Sequence, residues 1–278
     1  MSRAEAPRAF APEQVPVREA ATVALIRDAR VGRGVEVFLQ HRVATMQFAA
    51  GMSVFPGGGV EPRDYLGTRP WRGPEARWWA RRFGIGADRA AAAVRGVARE
   101  LFEETGVLLA EPDAAVGAVP CAGVSNRADR PDTADPPSDT DLPSDADLPS
   151  HTDLPSHAER RALDAGQGDL DGLLAQHGLV LSAHLLRPWD RWTTPIGPPR
   201  RYDTLFFVAA LPDGAEPDAV TSEARSAEWI RAEDAAHAGT LGHLGMLRPT
   251  LHVLSDLATA SDVAEVLEWP RSIAPGGH

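Results

Sequence analysis

The sequence predicts an α/β protein in which helices cover both sides of one mixed β-sheet, an α/β/α sandwich. Two observations indicate this class. Strand-like runs alternate along the chain with runs whose apolar residues recur at helical spacing. The chain has 278 residues, of which 43% are hydrophobic, enough for a packed core. We therefore expect a single domain over residues 18–270, with flexible tails at residues 1–17 and 271–278.

Two pairs of strands are expected. The runs ATVALIRD (Ala21–Asp28) and VEVFLQHR (Val35–Arg42) flank the glycine-containing segment ARVGRG, which is typical of a β-hairpin. The runs YDTLFFVAAL (Tyr202–Leu211) and ARSAEWIRAE (Ala224–Glu233) have strand-like composition as well. We expect these two later runs to pair with each other.

Four helices are predicted, over Arg89–Thr105, Leu170–His177, Ala232–Ala238 and Pro249–Thr259. In the first of them a stripe of apolar residues recurs at helical spacing and predicts a buried face. The stripe consists of Ala90, Val94, Val97, Ala98 and Leu101.

A hexapeptide repeat of Ser-(Asp/His)-x-Asp-Leu-Pro runs from Ser138 to Arg161. With a proline in every repeat and few large apolar residues, it buries too little surface to offset the entropy of ordering. We predict that residues 126–165 form a disordered acidic insertion. Its histidines, His151 and His157, are metal ligands on one interpretation, but solvated low-complexity histidines are the favoured one.

Composition excludes several function classes. A single cysteine, Cys121, rules out an intramolecular disulfide framework and a thiolate metal cage, and fits a reducing compartment. The apolar runs are too short to cross a bilayer, and the N-terminus lacks a signal-peptide pattern. A net charge of −11 argues against DNA as a partner. We expect a soluble, cytoplasmic protein that has no membrane or DNA partner.

The segment RGVARELFEETGVLLA (Arg95–Ala110) places three carboxylates, Glu100, Glu103 and Glu104, at the border of the buried stripe. Like charges at helical spacing repel, so a positive group is expected among them. Arg99 can reach Glu103 at i,i+4 spacing and orient it. Upstream, the glycines of FPGGGVEPRD (Phe55–Asp64) allow backbone groups to approach a ligand closely. The pattern favours a cation site over a solvated acidic face.

The two segments together resemble the Nudix box, G-x5-E-x7-R-E-U-x-E-E-x-G-U, where U is aliphatic. RELFEETGV (Arg99–Val107) matches every fixed position of the right half. The left half starts at Gly58, but Asp64 replaces the glutamate, and an insertion at residues 65–88 separates the halves. This enlarged box is similar to that of the animal peroxisomal coenzyme A diphosphatases. The resemblance implies the Nudix fold.

The resemblance also implies a mechanism and a cofactor. Glu100 and Glu104 would be the main metal ligands, Glu103 an additional ligand or an organiser of water, and the Gly57 carbonyl a further oxygen ligand. Oxygen-only ligation favours Mg²⁺ or Mn²⁺. The general base would be Glu100, or Glu223 in a loop outside the box. Arg99 would orient the carboxylates, and Gly58 would be required by backbone geometry at the substrate.

The residues that would recognise the substrate match a known motif only in part. The stretch LQHRVATMQFAAGMSVFPGG (Leu39–Gly58) has the spacing of a coenzyme A motif, L-T-x-R-[SA]-x3-R-x3-G-x3-F-P-G-G. Arg42 is in register, whereas Val43 and Gln47 depart from the pattern and the second arginine is lost. The cluster Arg200, Arg201 and Tyr202 has the chemistry to hold a phosphate and stack a base.

The tryptophans allow two interpretations. Trp71, Trp78 and Trp79, in the insertion, either cover a ligand or, on the favoured interpretation, fix the insertion to the core. We interpret Trp189, Trp192 and Trp229 as packing or sheet-edge residues, and residues 195–199 as a rigid loop.

The leading hypothesis is a metal-dependent pyrophosphohydrolase that acts on coenzyme A, an acyl-coenzyme A or another nucleoside-diphosphate-linked metabolite. Hydrolysis of ADP-ribose, NADH or capped RNA is the alternative within enzymes. A Nudix-fold ligand sensor without hydrolysis is the alternative outside them, although no box carboxylate is missing. The partners expected are a small nucleotide substrate and, for assembly, a second copy in a homodimer.

Overall fold

A computed structural model describes residues 15–43, 49–113, 154–218, 224–269 and 273. The strands in chain order are β1 (Val17–Asp28), β2 (Val35–Arg42), β3 (Ser53–Val54), β4 (Gly57–Gly59), β5 (Ala110–Pro112), β6 (Leu179–Leu181), β7 (Leu186–Thr193), β8 (Arg201–Ala210) and β9 (Ala224–Arg231). The helices are α1 (Pro62–Leu66), α2 (Ala76–Phe83), α3 (Ala87–Thr105), α4 (His157–Asp164), α5 (Leu170–Gln176), α6 (Ala232–Thr240), α7 (Arg248–Leu257) and α8 (Val263–Glu268).

One seven-stranded mixed sheet organises the protein. Its strand order is β3-β2-β1-β8-β7, with β4 also paired to β1 and β9 also paired to β2. β1 and β8 run parallel in register from Val17 opposite Arg201 to Ile26 opposite Ala210, whereas β2, β4 and β7 pair antiparallel. β5 and β6 form a separate two-stranded sheet. The predicted α/β class with a mixed sheet is confirmed.

Helices pack on both faces of the sheet because the side chains of β1 alternate between two apolar clusters. Val23 and Leu25 face the cluster formed with α2 and α3. Ala24 and Ile26 face the cluster formed with α6 and α7. The apolar stripe predicted on α3 is buried throughout.

The insertion inside the box is part of the core. Trp79 of α2 is fully buried, its ring lies 5.7 Å from that of Phe207 on β8, and its Nε1–H donates to the Pro74 carbonyl at 3.0 Å. Phe83, one helical turn later, lies 5.0 Å from the same phenylalanine ring. Trp71 and Trp78 pack against this cluster, so the interpretation of these tryptophans as packing residues agrees with the structure.

The predicted pairing of the two later strands is wrong. β8 has β1 on one side and β7 on the other, so neither of its edges is open to β9. β9 instead pairs with β2, where Phe38 lies opposite Trp229. β7, which sequence analysis did not predict, supplies the neighbour that fills the second edge of β8.

The predicted disordered insertion extends too far at its C-terminal end, because α4 is a formed helix. Ser156 caps it and shares a capping box with Glu159. Arg160 and Leu163 are buried, which anchors one face of the helix. Residues 114–153, which contain Cys121, His151 and most of the repeat, lie outside the described residues. The predicted N-terminal tail, residues 1–17, also extends one residue too far, because Val17 belongs to β1.

Within the part of the chain that the structure describes, no helix is both long and apolar enough to span a bilayer.

The burial of α2 predicts the stability of variants in the insertion. Trp79→Ala should lower the free energy of unfolding by about 3–5 kcal/mol, because it leaves a cavity against Phe207. Arg81→Ala, at an exposed position of the same helix, should change it by less than about 0.5 kcal/mol. Urea unfolding followed by fluorescence and circular dichroism measures both. Equal, small effects of the two substitutions would show that the insertion does not contribute to the core.

Candidate active site

The acidic segment occupies the last two turns of α3. The helix ends at Gly106, whose φ of 75° is left-handed and therefore favours glycine. The Gly106 N–H donates to the Phe102 carbonyl at 2.9 Å, and the Thr105 hydroxyl donates to the Leu101 carbonyl at 2.6 Å. These bonds fix the end of the helix and, with it, the positions of the box glutamates.

The triple-glycine strand β4 (Gly57–Gly59), which we call the glycine turn, lies between the end of α3 and β1. A Cβ on Gly57 would lie 2.5 Å from the Ala21 carbonyl oxygen, and a Cβ on Gly58 would lie 2.5 Å from Glu100 Oε1. Only residues without a side chain therefore allow this approach. The absence of side chains brings the Glu100 carboxylate directly against the turn. The Gly57 N–H donates to Glu104 Oε2 at 2.8 Å, so a second box carboxylate contacts the same turn.

Arg99 is the positive group among the acids. It is 1% exposed. It binds Asp64 with two bonds, from Nε at 2.9 Å and from Nη2 at 3.0 Å. Its Nη1 contacts Glu103 Oε2 at 2.6 Å, the pair expected at i,i+4, and Glu100 Oε1 at 3.0 Å. Its Nη2 also donates to the Gly59 carbonyl at 3.1 Å. Asp64, although shorter than the glutamate of the box, thus reaches the box arginine.

Glu103 is held by two arginines, since its Oε1 accepts from Arg63 Nη2 at 3.1 Å in addition to its bond with Arg99. Of the predicted metal set, Glu100 lies against Gly58 and Glu104 accepts from the Gly57 N–H, whereas Glu103 is bound by the two arginines. Among the residues that the structure describes, no group of three or more His, Cys, Asp or Glu side chains is arranged to hold a metal ion.

Burial shifts the pKa values of these groups. Desolvation raises the pKa of Glu100 to about 7 against the opposing attraction of Arg99. Desolvation also raises the pKa of Glu103, opposed by Arg99 and Arg63. Burial by itself would lower the pKa of Arg99, but its hydrogen bonds with Asp64 and the charges of its carboxylate partners outweigh that effect and raise it. The positive charges around Glu100 thus do not fully offset the cost of burying its carboxylate.

The chemistry of the donors fits a hard divalent cation. Glu100 and Glu104 offer carboxylate oxygens beside one glycine turn, and Mg²⁺ and Mn²⁺ prefer oxygen ligands. Glu103 fits better as a group that the arginines hold in place next to Glu100, because both carboxylates contact the same guanidinium nitrogen.

A cavity of about 1040 Å³ opens beside the turn. Of the predicted substrate-binding residues, Arg42, Gly58, Arg200 and Tyr202 line it together with Glu100. Arg201 does not line the cavity: its Nε donates to the Thr194 carbonyl at 3.1 Å, because successive residues of a strand point to opposite faces. Glu223, the alternative base, lies outside the described residues.

Sequence reasoning missed several residues of this region. Trp192, interpreted as a packing residue, lines the cavity, as do Pro195 and Pro198 of the predicted rigid loop and Arg248 at the start of α7. Alternation along β7 would have been the signal for Trp192, but that strand was not predicted. Arg63 was missed because nothing in the sequence shows that its guanidinium reaches Glu103.

A buried arginine of α4 supports the end of the acidic helix. Arg160 is 4% exposed, and its Nε donates to the Glu103 carbonyl at 3.0 Å. Its two terminal nitrogens bind the Asp218 carboxylate at 2.8 and 2.9 Å. A cation at this position interacts favourably with the negative end of the helix dipole. The helix at the end of the acidic repeat thus contacts the box helix directly.

No family model and no curated protein matches the chain, but solved structures do. A Nudix hydrolase from Alicyclobacillus acidocaldarius aligns with 93% of this chain and 99% of its own, at 25% identity and a TM-score of 0.66. The MutT protein from Methanosarcina mazei Go1 covers 88% and 94% of the two chains, at 12% identity and a TM-score of 0.40. The Nudix domain of Shewanella oneidensis NrtR, complexed with ADP ribose, aligns with 91% of this chain and 90% of its own, at 9% identity and a TM-score of 0.40.

The protein has the Nudix fold. The Alicyclobacillus enzyme matches it over nearly the full length of both chains, and the box residues lie on one helix and the adjoining glycine turn. In its fold and in the placement of its box residues, the chain is similar to the Nudix hydrolase from Alicyclobacillus acidocaldarius.

The contacts of Arg160 predict a stability effect. Arg160→Met should lower the free energy of unfolding by about 3 kcal/mol, because it leaves Asp218 and the Glu103 carbonyl without their buried partner. Arg161→Met is the matched control, since the neighbouring arginine is exposed and should be neutral within about 0.5 kcal/mol. Chemical denaturation measures both variants. If Arg160→Met were as stable as Arg161→Met, α4 would not support the box helix.

Proposed function

We propose that the protein is a metal-dependent pyrophosphohydrolase that cleaves the diphosphate of a nucleoside-diphosphate-linked metabolite, with coenzyme A or an acyl-coenzyme A as the leading substrate. One observation carries the proposal. Glu100 and Glu104 meet at a glycine turn, and the Glu100 carboxylate opens into a cavity that arginines also line. Carboxylates and arginines that line one cavity suit a substrate whose phosphates are bound partly through a metal ion and partly by the protein.

Glu100 and Glu104 would hold the divalent cation, Mg²⁺ or Mn²⁺. When bound, the ion would offset the charge of the diphosphate and polarise its P–O bonds. Arg99 and Arg63 fix Glu103 beside Glu100, which suits Glu103 to a supporting role as a further ligand or an organiser of water. The base that accepts the proton of the attacking water would be Glu100 or Glu223, and Glu→Gln substitution at each position separates the two.

Arg42 supports the choice of coenzyme A as leading substrate. It is the arginine in register with the coenzyme A motif, and it lines the cavity next to the strand that leads into the glycine turn. Arg200 and Tyr202 line the same cavity and would bind a phosphate and an aromatic base.

A substrate panel tests the proposed activity. With Mg²⁺ or Mn²⁺, the purified protein should cleave coenzyme A into adenosine 3′,5′-bisphosphate and a phosphopantetheine product, and a chelator should abolish the reaction. Mass spectrometry identifies the products, and ADP-ribose, NADH and capped RNA are the competing substrates.

Glu104→Gln tests the metal site in the same assay. Its amide oxygen still accepts from the Gly57 N–H, so the fold should persist while activity falls by at least about tenfold. Failure to cleave any member of the panel would refute the proposal.

Two neighbouring glycines provide a matched test of the Glu100 position. Gly58→Ala should lower kcat/KM by about a hundredfold, because the added Cβ would lie 2.5 Å from Glu100 Oε1 and displace that carboxylate. The free energy of unfolding should fall by about 1–3 kcal/mol, because the displaced carboxylate no longer contacts Arg99, which keeps its bonds with Asp64 and Glu103. Gly59→Ala meets only the Glu19 carbonyl oxygen, at 4.0 Å, and should keep most of the activity. Steady-state kinetics and thermal melts compare the two; similar activities would rule out a role for Glu100 at this position.

A further inference from the structure

The N-terminus of α7 forms part of the cavity wall. Leu247, Arg248, Pro249 and Thr250 all line the cavity, and they are the residue before the helix and its first turn. Leu247 provides no side-chain cap. The N–H groups of Arg248 and Thr250 have no partner within the helix, whereas Pro249 has no N–H, and the helix dipole places partial positive charge there. An uncapped helix start therefore faces the space that the ligand would occupy.

Two side chains of this turn add independent support. The Thr250 residue is 5% exposed and lines the cavity, yet its hydroxyl forms no hydrogen bond with any described residue. Arg248 is exposed and forms no ion pair with any residue in the described ranges. The Thr250 hydroxyl is not sealed off from the cavity, and the Arg248 guanidinium is exposed, so a ligand at the start of α7 can bind both groups.

Contacts made just before and just after the first turn of α7 connect the helix to other residues around the cavity. The Gly245 carbonyl, in the loop before the helix, accepts from the Ser53 N–H at 2.7 Å, and β3 leads from Ser53 toward the glycine turn. On the other side, His252 of α7 lies 3.4 Å from Asp190 Oδ2, which also accepts from Trp192 Nε1 at 2.8 Å. The Trp192 ring, which lines the cavity, is thereby fixed beside the helix.

We infer that the start of α7 is a second anion site, formed by Arg248, the Thr250 hydroxyl and the free N–H groups, and that it binds a phosphate monoester on the nucleoside of the substrate. Trp192 provides the surface on which the base of that nucleoside stacks. This inference rests on the proposed function, because it assigns the diphosphate to the Glu100 side of the cavity. It narrows the substrate class to nucleoside diphosphate derivatives that carry an additional phosphate outside the diphosphate.

A phosphate monoester suits these groups better than a neutral ligand. Helix N-termini bind phosphate through their N–H groups and dipole, and a guanidinium forms paired, charge-assisted bonds with phosphate oxygens. Inorganic phosphate shares this chemistry but lacks a ring for Trp192. A site for nucleotide phosphate should therefore prefer the nucleotide to the free ion.

Binding to the full-length protein in a chelator, where the proposed hydrolysis cannot proceed, tests the site. Isothermal titration calorimetry compares three probes: adenosine 3′,5′-bisphosphate, adenosine 5′-monophosphate and inorganic phosphate. The bisphosphate should bind about tenfold more tightly than the monophosphate, the expected effect of a charge-assisted contact, and more tightly than inorganic phosphate. Arg248→Gln should abolish the preference without weakening the monophosphate. Thr250→Val should reduce it by about threefold.

Arg81→Gln, on α2 and outside the cavity lining, is the matched control and should keep the full preference. Equal binding of bisphosphate and monophosphate by the unaltered protein would overturn the inference, as would a preference that survives Arg248→Gln, or no binding of the bisphosphate. Inorganic phosphate binding as tightly as the bisphosphate would also overturn it. Hydrolysis in the substrate panel tests the proposed function separately. An Arg248-dependent preference without any hydrolysis would refute the proposed function and leave the anion site supported.

Discussion

The candidate site depends on the buried guanidinium of Arg99. Each of its N–H groups faces an acceptor on Asp64, Glu100, Glu103 or the Gly59 carbonyl, so one side chain joins the glycine turn, helix α1 and the acidic helix. Desolvating such a charge is expensive unless all its donors are used. That condition explains why the local geometry is tightly constrained: movement of any one partner would leave a buried charge incompletely paired.

This constraint also explains how the enlarged box can still form one site. Residues 65–98 separate Asp64 from Arg99 in the chain, yet the two side chains share two hydrogen bonds. The extra residues form α2 and the start of α3, and the buried rings of Trp79 and Phe83 pack α2 onto Phe207 of the sheet. An insertion with its own apolar face adds to the core, so it does not push the two halves of the box apart.

Local patterns predicted the fold and site well where the interactions are local. The first hairpin, the acidic helix and the Arg99–Glu103 pair all follow from spacing within a few residues. Strand partners depend on contacts between distant parts of the chain, so the parallel pairing of β1 with β8 and the place of β9 beside β2 could not be read from composition. The start of α4 carries a capping signal at Ser156 and Glu159. The repeat that leads into it has the composition of a disordered segment, and the prediction for residues 126–165 followed that composition.

Net charge does not decide what the cavity binds. The chain carries −11 overall, whereas the charged residues that line the cavity are Arg42, Glu61, Glu100, Arg200 and Arg248, in which arginines outnumber glutamates. Local potential, focused by the low-dielectric walls of a cleft, governs which ligands enter. The glutamates at the glycine turn require a cation before a phosphate can approach them, while the arginines attract phosphate directly. Under the proposed function, this combination would let an acidic protein select a substrate that carries phosphates, with binding at the carboxylates dependent on a metal ion.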